Sequence, residues 1–361
     1  MKSVANPQNP SPSSRIVAFG EIMARLATPG FQRFSQAMPG TLNVTFAGAE
    51  ASIAASIAML GGNAAFVTAL PNHAIADACV ADLRSTGVDT KLILRTAEGR
   101  LGLYFLEHGI NQRPAEVIYD REGSAVAITP AEAYDWDIIF ASAGWFVISG
   151  ITPAISRNAA EVTMVALQEA TNRGVRVVLD ANYRSKLWQW DASIAPRALA
   201  TRTMLEMMPY VDLFVGGRED LVSLLGMDAP LPLEELIREF AHKYPQLQRI
   251  AMTLRESISA THQTFGGLLF DQETDRIYHA PINGPSYEIA NIVDRLGAGD
   301  AFTAGLIFSL TSPGLSDPQT ALSFATAAGC LAHSIEGDFN YVTRAEIEEL
   351  MAGTNGGRVK R

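Results

Sequence analysis

Short apolar runs alternate along the chain with stretches of helical period. Residues 15–21 (RIVAFGE) form an apolar run ending in glycine and acid, which predicts a buried strand. Residues 49–60 carry small and apolar side chains at helical spacing and stop at Gly61-Gly62, as a helix with a glycine stop does. A strand over 64–70 and an amphipathic helix over 75–86, closed by Gly87, follow. The pattern returns with a long helix over 156–173 ending at Gly174, and a strand over 175–180 that runs into a polar loop. Further strands are expected over 212–215, before Gly216-Gly217, and over 249–254; helices are expected over 298–310 and 317–334. Such alternation implies a mainly parallel sheet with helices on both faces, a doubly wound α/β/α sandwich. Ligands in that architecture bind at the carboxyl ends of the strands.

Two segments break the alternation. Residues 41–46 (TLNVTF) have period two, and so do 101–107 and 115–120, on either side of a polar loop containing Gly109. These predict antiparallel strands with one exposed face, a small β-lid over the cleft. The expected layout is one α/β domain over 15–352, with the lid drawn from about 24–47 and 98–127. Residues 138–156 carry no charge, but Gly144, Gly150 and Pro153 interrupt them, so two short buried strands around a turn are expected rather than a membrane span.

Composition narrows the function. Of 361 residues, 18% are charged and 48% hydrophobic, as buried strands require. A formal net charge of −10 disfavours nucleic acid as a partner, while leaving room for a local basic pocket that binds a small anion. Cys79 and Cys330 lie far apart and form neither a disulfide framework nor a metal pair, which fits a reducing cytoplasm. The histidines share no metal spacing. Residues 1–14 are rich in Pro, Ser and Asn without an apolar run, and read as a disordered leader rather than a secretory signal. Residues 353–361 read as a flexible tail.

The chemistry concentrates at Asp294-Arg295-Leu296-Gly297-Ala298-Gly299-Asp300, a glycine-rich turn that opens a helix of small residues, Ala301-Phe302-Thr303-Ala304-Gly305. N–H groups at a helix start point outward with partial positive charge, and glycine lets them approach a phosphate. Asp300 falls in the first helical turn, beside that anion hole, where it can accept a proton from an attacking hydroxyl.

This segment resembles the D-x-x-G-A/G-G-D signature of the ribokinase/PfkB carbohydrate kinases. The resemblance implies a ribokinase-like fold, an anion hole at Gly297, Ala298 and Gly299, and Asp300 as catalytic base. It covers almost the whole chain after the leader. Phe46-Ala47-Gly48-Ala49-Glu50-Ala51-Ser52 is similar to the family's G-G-A-x-x-N substrate loop. Gly20-Glu21-Ile22-Met23, Gln112-Arg113-Pro114, Tyr119 to Ala125, Ser149 to Pro153, Asp180-Ala181-Asn182-Tyr183-Arg184, Thr253 to Ser257 and Gly337-Asp338-Phe339 resemble the 2-keto-3-deoxygluconate kinase branch.

By that resemblance the chain is expected to move the ATP γ-phosphoryl group to the 6-hydroxyl of 2-keto-3-deoxygluconate. Gly48, Ser52, Tyr104, Tyr119, Arg121, Arg184 and Asp338 would contact the sugar acid, and Thr253 and Arg255 the nucleotide. Arginine is suited to a carboxylate because its planar fork pairs with both oxygens. Glu219 and Asp220 resemble the acidic end of the N-x-x-E segment, which acts on Mg2+ through water. Three positions depart from the family pattern: Ala47 for glycine, Ser52 for asparagine, and Gly217 for the asparagine of N-x-x-E. A fructokinase or ribokinase type of neutral-sugar kinase and a non-catalytic sugar sensor are the alternatives. A nicotinamide dehydrogenase is disfavoured, since no G-x-G-x-x-G follows the first strand, and no P-loop is present. The lid strands also predict an exposed apolar face formed by Leu101, Leu103, Phe105 and alternate residues of 117–119, through which a homodimer would form.

Overall fold

The structure, a computed structural model, describes residues 15–223, 225–227, 231–282 and 284–354. The leader and residues 355–361 of the tail lie outside the described residues. Among the described residues there are fourteen strands: β1 (Arg15–Phe19), β2 (Met23–Ala27), β3 (Asn43–Ala47), β4 (Ala64–Pro71), β5 (Ile93–Thr96), β6 (Leu103–Glu107), β7 (Glu116–Asp120), β8 (Ala143–Ser149), β9 (Arg176–Asp180), β10 (Leu213–Val215), β11 (Arg249–Ser259), β12 (His262–Asp271), β13 (Arg276–Ala280) and β14 (Tyr287–Ile289). Ten form one sheet in the order β13-β12-β11-β10-β9-β8-β1-β4-β5, with β14 beside β12. Pairing is parallel from β11 through β10, β9, β8, β1 and β4 to β5. The β11–β12–β13 edge is antiparallel.

Strand alternation divides the core in two. Val17, Phe19, Val177 and Leu179 face one layer, which includes the helices Arg157–Asn172, Pro196–Met207 and Leu233–Lys243. Ile16, Ala18 and Val178 face the other, with the helices Ala49–Met59, Ala74–Ser85 and Ala298–Thr311. Both faces of the sheet are therefore covered, and the middles of its central strands are largely apolar. The fold is the expected α/β sandwich.

Residues 138–156 differ from expectation. They contain a single strand, β8; Trp136–Phe140 is helical before it and Thr152–Ala154 is a 3-10 turn after it. An uninterrupted apolar run does not distinguish a buried helix end from a strand, and Asp135 caps the helix at the Ile138 N–H. Among the described residues, no helix is long and apolar enough to cross a membrane.

The second sheet has the order β3-β2-β6-β7. Its two hairpins are antiparallel as expected, but β2 and β6 join them in parallel. Arg25, Tyr104 and Tyr119 fall in register on its inner face. Val44, Leu26, Phe105 and Ile118 fall in register on the outer face, where Val44 is 58% and Ile118 47% exposed. This corrects the expected apolar face. Leu101 is buried in the main core, and Val117 and Tyr119 point inward, because parity along β7 puts Ile118 outside with Glu116 and Asp120.

Candidate active site

Two cavities meet above the carboxyl ends of the parallel strands. The first, of about 450 Å³, lies under the small sheet and is lined by Gly48, Tyr104, Tyr119, Arg121, Arg184, Asp300 and Asp338, among others. The second, of about 270 Å³, is bounded by Asp180, Gly217, Asp220, Thr253, Arg255, Gly299 and Asp300. Asn182, Tyr183, Arg184, Leu296, Gly297 and Asp300 border both. Asp300 thus stands at the junction.

Gly297 starts the helix Ala298–Thr311 with φ of 82°, a backbone angle that favours glycine. A Cβ there would also lie 2.5 Å from the Asp338 carbonyl. The first helical bond is Ala301 N–H to Gly297 O, at 2.8 Å. The N–H groups of Ala298, Gly299 and Asp300 precede it and are left for a ligand, at the positive end of the helix dipole. Gly48 precedes the helix Ala49–Met59 at the larger cavity, with an extended backbone, and it is close approach rather than backbone angle that calls for glycine there. Its Cα passes so close to Glu21 that an added Cβ would sit 2.0 Å from the Glu21 carbonyl.

The cleft gathers acids. Burial first, then the charges of Asp180 and Asp338, raises the Asp300 pKa well above the usual carboxylate range; Arg184 opposes this. Burial pushes Asp180 up to about 7, against a hydrogen bond from Thr303 Oγ1 at 3.0 Å. Burial also raises Asp220, which accepts the Gly217 N–H at 2.7 Å. Arg184 and Arg255 answer these acids and make no ion pair among the described residues. Thr253 and Arg255, two apart on β11, share the face turned to the smaller cavity, and the Arg255 guanidinium lies over Phe265, 5.0 Å from the ring centroid.

The residues of the larger cavity arrive from both sheets. The Tyr104 hydroxyl donates to Asp338 Oδ1 at 2.9 Å. Arg121 borders the larger cavity but is already paired with Glu21, both side chains being buried. Ser52 lines neither cavity: it is fully buried one turn along its helix, and its hydroxyl has no hydrogen-bond partner among the described residues. Serine is shorter than the family's asparagine, so it does not reach back to the site. Glu219 also stands apart. It is exposed and accepts from Ser223 Oγ at 3.2 Å, because one helical step turns it away from the cavity that Asp220 faces.

Asp180, Lys186 and Arg25 reach the site without a role in the sequence reading, although Asp180 belongs to a segment quoted there. Asp180 ends β9, and an acid at the carboxyl end of a buried strand was a signal for it. Lys186 borders the larger cavity from the loop after β9. Arg25, buried on β2, pairs with Asp294 and donates to Asp338 Oδ1 at 2.5 Å; only a lone cation within an apolar alternation marked it.

Comparison with known proteins agrees with this geometry. A 2-dehydro-3-deoxygalactonokinase of Haloferax volcanii is 32% identical over 349 residues, 96% of this chain and 99% of that protein. A 2-dehydro-3-deoxygluconokinase of Bacillus subtilis is 25% identical over 93% of this chain and 95% of its own length. The crystal structure of a 2-dehydro-3-deoxygluconokinase from Thermotoga maritima superposes with a TM-score of 0.87 and 38% identity, covering 95% of this chain and 100% of that one. Residues 13–340 match the pfkB family carbohydrate kinases, and with the glycine-started helix and Asp300 at the meeting of two cavities, the chain belongs to that family of ATP-dependent phosphotransferases.

Proposed function

We propose that this chain transfers the γ-phosphoryl group of ATP to the 6-hydroxyl of 2-keto-3-deoxygluconate. The observation that carries the reading is the position of Asp300, between a cavity of sugar size and a cavity lined by arginines, next to three helix-start N–H groups that make no hydrogen bond among the described residues. The sugar occupies the larger cavity, with hydroxyls on Gly48, Tyr104, Tyr119 and Asp338. Its carboxylate pairs with Arg184, which makes no ion pair among the described residues, while Arg121 contributes a charge that Glu21 already balances in part. The ATP phosphates occupy the smaller cavity, on Thr253, Arg255 and the amides of Gly297, Ala298 and Gly299. Asp300 removes the hydroxyl proton as the oxygen attacks phosphorus; the new O–P bond forms, the bond to the ADP oxygen breaks, and the amides hold the phosphoryl charge.

Mg2+ fits the acids of the smaller cavity. Asp180 and Asp220 face it, and Glu219 does not. Among the described residues no three His, Cys, Asp or Glu side chains cluster to hold a metal alone, in keeping with an ion bound chiefly through phosphates and water. When bound, it would neutralise charge on the transferring phosphate.

The small sheet serves as the lid that excludes water from the transfer. Its outer row of Val44, Leu26, Phe105 and Ile118 supports a homodimer joined through the lids. A second reading, the C4 epimer of the substrate, is favoured by the Haloferax relative, which is named for the galactonate compound. A coupled ATP-consumption assay across both epimers, fructose, ribose and plain ATP hydrolysis tests these readings. Turnover of either keto acid above the neutral sugars is expected, and preference for a neutral sugar would refute the carboxylate assignment.

A further inference from the structure

Arg25 belongs to the small sheet yet is spent entirely on the other side of the cleft. Only 1% of its surface is exposed. Burying a guanidinium costs several kcal/mol of desolvation, which only well-placed carboxylates offset, and here two face it. One arm donates to Asp338 Oδ1 at 2.5 Å and the other pairs with Asp294, itself 2% exposed. Asp294 in turn accepts the N–H of Leu296 at 3.0 Å and of Gly337 at 3.2 Å. It thereby fixes the turn that leads into Gly297 and the turn that leads into Asp338. Asp338 Oδ1 is saturated by Arg25 and the Tyr104 hydroxyl, and Oδ2 accepts no hydrogen bond among the described residues, on a side chain that lines the larger cavity. One cation therefore joins a strand of the small sheet, an acid of the sugar cavity and the loop that opens the phosphoryl-binding helix.

We propose that Arg25 is a positioning residue for the transfer: it orients Asp338 so that Oδ2 receives a sugar hydroxyl, and it ties that acid through Asp294 to the loop that holds the phosphoryl group. The proposal rests on the sugar-kinase reading of the site. Arg25 touches no ligand itself; it acts through the two aspartates. Lysine keeps the charge but lacks the planar fork that spans both acids.

The test compares wild type with Arg25→Lys, Arg25→Gln, Tyr104→Phe and the Arg25→Lys/Tyr104→Phe double variant. Kinetics on 2-keto-3-deoxygluconate, ATP affinity by calorimetry and thermal melts are measured for each. Arg25→Lys should raise the sugar KM and lower kcat by roughly tenfold each, the scale of one charge-assisted hydrogen bond, with ATP affinity within about threefold. The double variant should lose less than the product of the single losses, because both side chains act on one Asp338 oxygen. Unchanged KM and kcat in a folded Arg25→Lys would overturn the proposal. So would parallel loss of ATP affinity, sugar affinity and melting temperature, or failure of both Arg25 variants to fold, since each marks a structural strut. A wild type inactive on every sugar acid instead refutes the reading of the site. That is a different result from an active wild type matched by Arg25→Lys.

Discussion

Asp300→Asn preserves the shape of the side chain and removes its ability to take a proton. Loss of a general base costs on the order of 10²–10⁴ in rate, or about 3–5 kcal/mol of barrier. The structure adds an effect of opposite sign on stability. Burial and the neighbouring charges of Asp180 and Asp338 raise the Asp300 pKa well above its usual value, and Arg184 offsets only part of this. A carboxyl whose pKa is higher folded than unfolded binds its proton more tightly in the native state. Its stabilising contribution is complete below the unfolded pKa, about 3.9, and is lost as pH rises through the folded value. Asparagine has no charge to bury. The variant should therefore melt above wild type at alkaline pH, and the difference should shrink as pH falls towards the unfolded value. Coupled turnover at saturating ATP, calorimetric ATP binding and thermal melts across the pH range measure all three quantities. A pure variant that turns over within tenfold of wild type would refute the base assignment. A variant that melts below wild type at alkaline pH would refute the account of a charge-strained cleft.

Asp180→Asn removes a like charge beside Asp300, so the acid limb of the kcat/KM profile should move to lower pH; a limb that stays in place means the two acids are not coupled. Arg184→Ala should cost about 1.5–3 kcal/mol in kcat/KM on keto acids and little on any neutral sugar turned over, with Arg121→Ala losing less because Glu21 already shares its charge; equal losses on both substrate types would show that neither reads a carboxylate. Val44→Glu with Ile118→Glu should convert a dimer to a monomer in light scattering, and a monomeric wild type at micromolar concentration would end the proposal of assembly through the lids. Gly217→Asn should lower the Mg2+ concentration for half-maximal rate with kcat within a few-fold, since an added Cβ meets only Asp220 Oδ2, at 3.6 Å; an unchanged midpoint would remove this loop from the magnesium network.

Much of the sandwich was legible because buried parallel strands leave apolar runs of fixed length. The expected helix over 49–60 is Ala49–Met59, and the expected strand over 64–70 is Ala64–Pro71. Burial, however, is the only signal such runs carry. β11 extends to Ser259, five residues past its apolar part, because residues 255–259, of which 255–258 are exposed, are held by pairing with β12 rather than by a core. The same limit explains the small sheet. Alternation marked its strands but not which parity faced in, and a shift of one residue exchanges every side chain between faces. At the site, the glycine-rich turn identified Asp300, since only a helix start beside a close-approaching backbone calls for that composition. Arg25 and Asp180 were less legible because their meaning depends on partners 269 and 123 residues away. Between Glu219 and Asp220 only the helical rotation decides, and adjacent acids conceal it.

The parallel pairing of β2 with β6 has a consequence for how the chain is made. Ala24 must wait for Leu103 to pair, and synthesis proceeds at about 5–20 residues per second. The β2–β3 hairpin therefore leaves the ribosome on the order of ten seconds before its partner strand exists. During that interval one edge of β2 has no neighbour, Leu26 and Val44 lie together on one face, and Arg25 lacks its acids, Asp294 and Asp338, which are translated near the end. The nascent hairpin is a sticky edge on a polysome, where neighbouring chains carry the same segment. Folding of the small sheet is thus a late, long-range event, and a holding chaperone would find its binding site on the first strands made rather than the last.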